Sequence, residues 1–332
     1  MKEKAKKMIY HHWRKKVKKV SKFGPVWKVK TKHGQYCLKR WKHGKARLLF
    51  AYQVIEQLWE RGYSRTPRLL PAVNGLPYAK NDEDIFVLTK WVGRPLRGES
   101  KTEWTLAAKE LAAFHLMSQN IYLPPQVERY YFSGKWLFRF PKRIKEMKEA
   151  FDRFKNPQNI FEEEVSKDAP LVLETAEAAL ELLRKSAYQS MVEEIYTRPM
   201  LCHGNIKAKN FTIDDDGAVF VIDFDSFRLD LPVQDLSALF FAALSCTGWS
   251  LPFARTLFES YHVVRPVKQE EIPILKAILL FPDDVYKTIH KYCQGEKSPE
   301  SSLKKWQKEF SRFIQQRLFY KKWFSWLGQD DI

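Results

Sequence analysis

Cysteine is scarce in this sequence, and no long apolar run occurs. The 332 residues contain four scattered cysteines without a C-x-x-C pair: Cys37, Cys202, Cys246 and Cys293. This pattern predicts neither a disulfide framework nor a zinc site and is typical of a chain that stays reduced in the cytosol. The longest apolar stretch lies near residues 239–244, whereas a membrane-spanning helix needs about 18–20 such residues. The basic N-terminal segment has no apolar core, so we also expect no secretory signal peptide.

Acidic residues are few relative to basic ones, and the imbalance is concentrated at one end. The chain carries 57 Lys and Arg against 39 Asp and Glu, a formal net charge of +18. Residues 1–43, the basic N-terminal arm, contain sixteen of the basic residues and one acid, Glu3. Such an arm indicates an attraction for phosphate, nucleic acid or acidic protein surfaces. A solvated face that aids solubility explains the same charge.

Hydrophobic content and periodicity predict a folded chain with strands first and helices later. A hydrophobic fraction of 45% with 14% aromatic residues argues against disorder, and the length suits one two-lobed domain or two ordinary ones. The elements predicted from apolar spacing are helix 2–22, strands 27–31 and 35–41, helix 45–61, strand 85–91, helix 103–118 and a helical run from residue 233. We therefore predict an α+β fold.

Two polar clusters separated by a predicted hairpin are the most informative part of the sequence. The first covers residues 203–210 (HGNIKAKN) and the second covers residues 222–225 (IDFD). The short apolar runs between them are joined by an Asp-Gly turn at residues 214–217, which is the strongest short-range signal for a β-hairpin. Such a hairpin would bring Asn210 at its entrance close to Asp223 at its exit. Because Mg²⁺ is held by one or two protein oxygens plus phosphate oxygens, this pair predicts a magnesium site.

This arrangement resembles the catalytic segment of kinases, whose loop reads H-x-D-x-x-x-x-N and is followed by the Asp of D-F-G. His203, Asn210 and Asp223 match in identity and spacing, and Lys207 stands where many protein kinases carry a catalytic-loop lysine. The His-Gly and Ile-Asp-Phe-Asp runs are more similar to the aminoglycoside and choline phosphotransferase branch. In that branch an Asp braces the catalytic loop through its backbone, and Asp235 resembles this anchor.

The kinase resemblance implies roles for further positions and exposes two departures. Lys39, at the end of a predicted strand, resembles the lysine that orients ATP through its α- and β-phosphates. A helix glutamate pairs with that lysine in kinases, and Glu56 is either this partner or a surface residue. The catalytic base, Asp in active members, is Asn205 here. The glycine-rich loop over the phosphates is missing, since only Gly24-Pro25 precedes the predicted hairpin.

Taken together, these features resemble the bacterial spore-coat protein S family, a kinase-like group related to aminoglycoside phosphotransferases. The resemblance spans about residues 25–295 and rests on the strand at 35–39, residues 87–93, Gly134-Lys135-Trp136, Leu201–Gly204, Ile222–Asp225 and Phe281-Pro282. It implies a two-lobed kinase-like fold, with a basic arm and small antiparallel-sheet lobe in residues 1–91 and a mainly helical lobe in residues 92–332. It also implies ATP and Mg²⁺ as ligands, a place in the spore coat, and other coat proteins or acidic surfaces as partners of the basic arm.

Three functions are compatible with the sequence. The first is an ATP-dependent phosphotransferase acting on a hydroxyl of a small molecule or protein, with Lys39 on the phosphates, Asn210 and Asp223 on Mg²⁺, and Lys207 stabilising the transferring charge. The second is a catalytically impaired, kinase-shaped coat component that works by binding. The third is a basic nucleic-acid-binding protein.

Asn205 divides the first two functions. An amide has no proton-accepting pKa near neutrality, and general-base assistance is worth ~10²–10⁴-fold in rate. Because phosphoryl transfer depends mostly on positioning and metal electrostatics, the substitution predicts slow chemistry rather than none. We therefore expect a binding-dominated protein with weak affinity for ATP·Mg²⁺.

Overall fold

The computed structural model describes residues 2–123 and 130–327. The early elements are α1 (Lys2–Trp13), β1 (Val17–Phe23), β2 (Val26–Thr31), β3 (Gly34–Trp41), α2 (Gly44–Glu60), β4 (Ala79–Asn81) and β5 (Asp84–Lys90). The later strands are short: β6 (Arg94–Pro95), β7 (Leu201–Cys202), β8 (Phe211–Ile213), β9 (Val219–Val221) and β10 (Arg228–Leu229). The later helices are α3 (Lys101–Met117), α4 (Lys135–Phe154), α5 (Ile160–Lys185), α6 (Tyr188–Thr197), α7 (Val233–Thr247), α8 (Leu251–His262), α9 (Glu271–Leu280), α10 (Asp283–Cys293) and α11 (Pro299–Trp326).

Strands β1 to β5 form one antiparallel sheet in the order β1-β2-β3-β5-β4. Helix α1 packs against one face of this sheet, where its Ile9 and Trp13 are buried with Val29 and Leu38 of the strands. The Trp13 indole N–H also donates to the Leu70 carbonyl at 2.9 Å, so the polar end of this large side chain is satisfied. The basic N-terminal arm is therefore a folded part of the sheet lobe.

The helix predicted over residues 2–22 is wrong beyond Trp13. Residues 17–23 instead form the edge strand β1, which pairs antiparallel with β2 and shifts register between Val17 and Lys19. A bulge of this kind interrupts the two-residue alternation that marks a strand. It leaves Val17 and Val20 three residues apart, a spacing that also fits a helix. The hairpin predicted over residues 27–41 is present as β2 and β3, in the middle of the sheet rather than at its start.

Helix α2 covers the sheet near the site and joins it to the rest of the molecule. Its buried side chains are Leu48, Phe50, Ala51, Val54, Ile55 and Leu58. They belong to the large apolar cluster that continues through helices α3 to α11. Burying a Leu, Ile or Phe side chain contributes about 1.5–3 kcal/mol, so this face holds α2 firmly against the helical part.

The remainder of the chain is mainly helical, with two small sheets, β10-β7 and β6-β8-β9, that carry the motif-bearing segment. No helix in the described ranges combines the length and apolarity needed to cross a membrane. A small antiparallel-sheet lobe followed by a helical lobe is the predicted α+β architecture, which is confirmed. The proposed boundary after Trp91 stays a prediction.

Candidate active site

The hairpin predicted between the two polar clusters is formed by β8 and β9. Phe211 pairs with Val221 and Ile213 with Val219. The Asp214 carboxylate closes the turn by accepting the Ala218 backbone N–H at 2.8 Å. At the open end, the Ile222 N–H donates to the Asn210 carbonyl at 2.9 Å. The entrance and exit of the hairpin therefore meet, as the sequence predicted.

His203 is buried and positions the loop rather than offering a base. Its Nε2 donates to the Ile222 carbonyl at 2.8 Å, and its Nδ1 accepts the Asn205 N–H at 3.2 Å. With one ring nitrogen donating and the other accepting, the imidazole is neutral, and burial lowers the pKa of His203 further. The Asn210 side-chain amide donates to the Asn205 carbonyl at 2.8 Å. That bond leaves the Asn210 amide oxygen available to a cation.

The carboxylate of Asp235, the residue that resembles the anchor, contacts the backbone of this loop. Its carboxylate accepts the backbone N–H groups of His203 and, at 3.0 Å, of Gly204. His115 Nε2 lies 3.2 Å from the same carboxylate, while His115 Nδ1 lies 2.6 Å from the Tyr261 hydroxyl. Burial opposes ionisation of Asp235, but the His115 hydrogen bond and nearby charges outweigh it and lower its pKa. Asp235 is thus a buried carboxylate with hydrogen bonds to two backbone N–H groups and to the His115 ring.

Close backbone contact makes glycine necessary at position 204. Gly204 has φ +75°, and a Cβ built there would lie 2.4 Å from the Ser226 carbonyl oxygen. Any side chain would therefore push the loop away from the segment after Asp223. Asp223 itself has φ +73°, a left-handed conformation that Asp tolerates better than most residues. Backbone strain of this type clusters at functional sites.

Lys39 reaches across the cleft from the sheet lobe to the carboxylates of Asp223 and Asp225. It lies on β3, between Val26 of β2 and Val87 of β5. Its Nζ forms an ion pair with Asp223 and another with Asp225 Oδ2 at 2.8 Å. Burial alone would lower the pKa of Lys39, but the Asp225 and Asp223 charges outweigh it and raise that pKa. The ammonium is therefore charged and lies in the same cleft as the Asn210–Asp223 pair.

The structure does not bring Glu56 to Lys39, which corrects the pairing considered for these residues. Glu56 instead forms a two-pronged ion pair with Arg68, with 3.0 Å between Arg68 Nε and Glu56 Oε1. The α2 residues that line the cleft are Ala51 and Ile55. These two residues lie one helical turn apart on the face of α2 towards the cleft, and Glu56 lies on a different face.

Asp225 and Arg47 complete the site, and neither was assigned a role from the sequence. Asp225 takes the place of a helix glutamate as the second partner of Lys39. Arg47, in the first turn of α2, donates to the Asp225 carbonyl at 2.6 Å and to the Phe227 carbonyl. It thereby holds the segment after Asp223 against α2. The IDFD run was the only available signal for Asp225, and nothing local indicates the Arg47 contact.

A cleft of about 410 Å³ lies between the lobes at these residues. Its walls include Val87, Trp91 and Ile222 as well as Lys39, Asn210 and Asp223. In kinases a glycine-rich loop covers the phosphates. Here the turn between β1 and β2 stands in its place, and this turn consists only of Gly24-Pro25. Because proline has no backbone N–H, this turn offers few donors to a phosphate chain.

A second cavity of about 450 Å³ opens beside the loop. Ile206, Lys207 and Ala208 form one wall, and Trp136 and Phe241 lie among the aromatic residues of the others. The Lys207 side chain is exposed, so the predicted charge-stabilising residue stands at the edge of this cavity rather than in the first cleft. The two cavities flank the loop on which Asn205 lies.

Solved structures with the same architecture include an aminoglycoside phosphotransferase from Alicyclobacillus acidocaldarius, which matches with a TM-score of 0.82 at 18% identity over 94% of this chain and 92% of that one. Spectinomycin phosphotransferase in complex with ADP and spectinomycin matches with 0.63 at 13%, over 97% and 94%. Amicoumacin kinase in complex with AMP-PNP and Ca²⁺ matches with 0.55 at 12%, over 92% and 87%. These similarities show the predicted fold, which is that of the aminoglycoside phosphotransferases.

The family assignment comes from the sequence match. The family described as "Spore coat putative kinase YutH" matches residues 6–327, which is nearly the whole chain. This match agrees with the spore-coat and kinase-like resemblance drawn from the features of residues 25–295. The chain therefore belongs to this family of kinase-like spore-coat proteins.

Proposed function

We propose that this protein is a kinase-shaped coat component that binds ATP with Mg²⁺ in the inter-lobe cleft and transfers phosphate slowly. The observation that carries the proposal is the convergence of Lys39, Asn210 and Asp223 on one cleft. These are the groups that a triphosphate and its metal need in a kinase site. The nucleotide complexes of the spectinomycin and amicoumacin enzymes support the same use of the fold.

The available oxygen ligands fit a magnesium ion. Asn210 retains a free amide oxygen, and Asp223 and Asp225 supply carboxylates that face the same cleft. Oxygen-only ligands with room for phosphate oxygens are what Mg²⁺ prefers. When bound, Mg²⁺ would neutralise charge on the β- and γ-phosphates. Lys39 would then leave its carboxylate partners and contact the phosphates.

Slow transfer follows from position 205. The kinase resemblance gives position 205 the role of the catalytic base, and its backbone is held by His203 and Asn210. An amide there takes no proton from an acceptor hydroxyl. An active phosphotransferase is the alternative, and the second cavity beside Lys207 favours it because a small acceptor fits a space of this size.

Calorimetry with ATP tests the nucleotide site. We expect millimolar-range binding that strengthens with Mg²⁺ and that weakens about tenfold or more in Lys39→Ala, since a charge-assisted phosphate contact is lost. In Asp223→Ala the dependence on Mg²⁺ should disappear.

Asp215→Ala is the matched control for Asp223→Ala, because Asp215 is an exposed carboxylate in the turn of the same hairpin. Its affinity for ATP·Mg²⁺ should equal that of the wild type. Absence of heat at millimolar nucleotide, or Mg²⁺-dependent binding that survives Asp223→Ala, contradicts the site.

We further propose that the lysine-rich outer edge of the sheet lobe attaches the protein to acidic coat surfaces. Strand β1 is at the edge of the sheet, and its lysines point outwards without a carboxylate within ion-pairing distance among the described residues. The exposed lysines of β1, β2 and the adjoining turn are Lys18, Lys19, Lys22, Lys30 and Lys32. A solvated lysine edge that prevents strand pairing is the competing explanation.

Charge neutralisation distinguishes these explanations. Deleting the arm would remove buried core residues, so we choose the triple substitution of Lys18, Lys19 and Lys22 to Gln. We expect weaker binding to immobilised polyglutamate and a reduced dependence on salt, since exposed charges are screened within ~8 Å at physiological ionic strength. The control is the same change at three exposed lysines near α11: Lys297, Lys304 and Lys308. Equal losses in both variants would mean that net charge alone is responsible.

A further inference from the structure

A cluster of cations lies beside the loop formed by residues 203–210, outside the inter-lobe cleft. Lys135 and Arg139 are one turn apart at the start of α4. Lys135 Nζ lies 3.7 Å from the centre of the Phe132 ring, and Arg228 of β10 lies 5.4 Å from the same centre. Arg139 stacks at 5.5 Å over Trp136. We call Lys135, Arg139 and Arg228 the cation cluster.

The cluster is poorly neutralised by the protein itself. Within residues 2–123 and 130–327, neither Lys135 nor Arg139 has a carboxylate within ion-pairing distance. Arg228 Nε lies 3.3 Å from Asp230, but it is buried there without a hydrogen bond. Asp283, whose charge also acts on Arg139, is already paired with Arg143 and Lys287.

Like charges spaced four residues apart destabilise a helix, and neither cation has a direct ion pair among the described residues that would offset this cost. Burial and the neighbouring Arg139 charge lower the pKa of Lys135, and burial and Arg143 lower the pKa of Arg139. Burial raises the pKa of Asp230 to about 6, so its carboxylate is still mostly charged at neutral pH, but it is a single negative charge beside three cations. An anion would relieve the repulsion between these cations.

The cluster also borders the loop and the second cavity. A Cβ built at Gly204 would lie 3.5 Å from Arg228 Cδ, so Arg228 packs directly against the residue before Asn205. Trp136, on which Arg139 stacks, lines the second cavity together with Lys207. The hydroxyl of Ser133, just before α4, is buried without a hydrogen-bond partner in the described structure. Trp136 thus places the cation cluster next to that cavity.

We propose that the cation cluster binds the phosphate group, or another dianionic group, of a small hydroxyl-bearing molecule whose remainder occupies the second cavity. Arg228, Lys135 and Arg139 hold the dianion, and the hydroxyl end faces the loop that carries Asn205 and Lys207. The acceptor interpretation rests on the proposed function; the anion site does not. A cationic group would be repelled by the cation cluster, so the end of the ligand that the cluster holds is anionic.

Calorimetry with glycerol 3-phosphate, compared with glycerol, tests the site. All variants are made in the Lys39→Ala background, which removes the cleft lysine that could also bind phosphate. We expect glycerol 3-phosphate to bind in Lys39→Ala, and glycerol not to bind. Adding Lys135→Gln or Arg139→Gln should weaken binding at least about tenfold, since each removes a charge-assisted contact to the anion. Lys135→Arg should retain it, because the positive charge remains.

Lys145→Gln is the matched control for Lys135→Gln, since Lys145 is an exposed lysine on the same helix, paired with Glu149. It should leave the affinity unchanged. Equal weakening in Lys145→Gln, loss of binding on introducing Lys39→Ala, or no binding of glycerol 3-phosphate would each overturn the proposal. If ATP·Mg²⁺ binding fails while these results hold, the anion site stands and the nucleotide proposal alone is wrong.

Discussion

Asn205→Asp is expected to raise phosphotransfer by ~10²–10⁴-fold, the range that a positioned general base contributes. The substitution is nearly isosteric. The backbone at position 205 is already fixed by His203 and Asn210, so no further repair of the loop is required. ATP consumption with Mg²⁺ should be measured for the wild type and the variant, both without an acceptor and with glycerol 3-phosphate.

Two further variants make the result interpretable. Asn205→Ala should match the slow wild type, because neither side chain accepts a proton, and adding Asp223→Ala to Asn205→Asp should abolish the gain. High wild-type turnover that is lost in Asp223→Ala but indifferent to residue 205 would falsify the impaired-site interpretation. If Asn205→Asp yields no turnover at all, the cleft does not align an acceptor with the γ-phosphate, and the protein works by binding alone.

Asp235→Ala is expected to lower the free energy of unfolding by about 3–5 kcal/mol, the usual effect of removing one partner from a buried charged network. The change leaves the backbone N–H groups of His203 and Gly204 without an acceptor, and His115 loses its partner on Nε2. Urea unfolding followed by circular dichroism measures this loss.

Asp235→Asn separates shape from charge. Its amide oxygen can accept one backbone N–H, but its NH₂ group faces a donor. We therefore expect a free energy of unfolding between those of the wild type and Asp235→Ala. The exposed Asp215→Ala should stay within about 0.5 kcal/mol of the wild type. A loss below about 1 kcal/mol in Asp235→Ala would mean that the loop is held by other contacts.

The sequence predicted those parts of the site that depend on local spacing. Asn210 and Asp223 meet because one short hairpin joins them, and the turn chemistry of residues 214–217 is readable without tertiary information. The Asp235 anchor and Lys39 came from motif resemblance; Asp235 contacts the backbone of residues 203 and 204, and Lys39 contacts Asp223 and Asp225. The alternation of β2 and β3 likewise predicted the strand that carries Lys39.

Contacts between distant elements could not be predicted in this way. Glu56 was considered for Lys39, but the direction of a helical side chain depends on how α2 lies against the sheet, and Arg68 takes it instead. Asp225 and Arg47 act through ion pairs and backbone contacts across about half the chain. Strand β1 was hidden by its bulge, because one inserted residue makes strand alternation look helical. The cation cluster likewise requires β10 and α4 to be adjacent.

The attachment of α2 has a consequence for how this protein can be controlled. Its apolar face belongs to the core of the helical lobe, and Arg47 fastens its first turn to the segment after Asp223. A helix tied at both places cannot swing outward without breaking buried contacts, so we expect the cleft to keep one shape with or without ligand. We therefore expect no ligand-driven switch between an active and an inactive conformation of the cleft. The effect of this protein would then depend on how many copies are made and where they are placed.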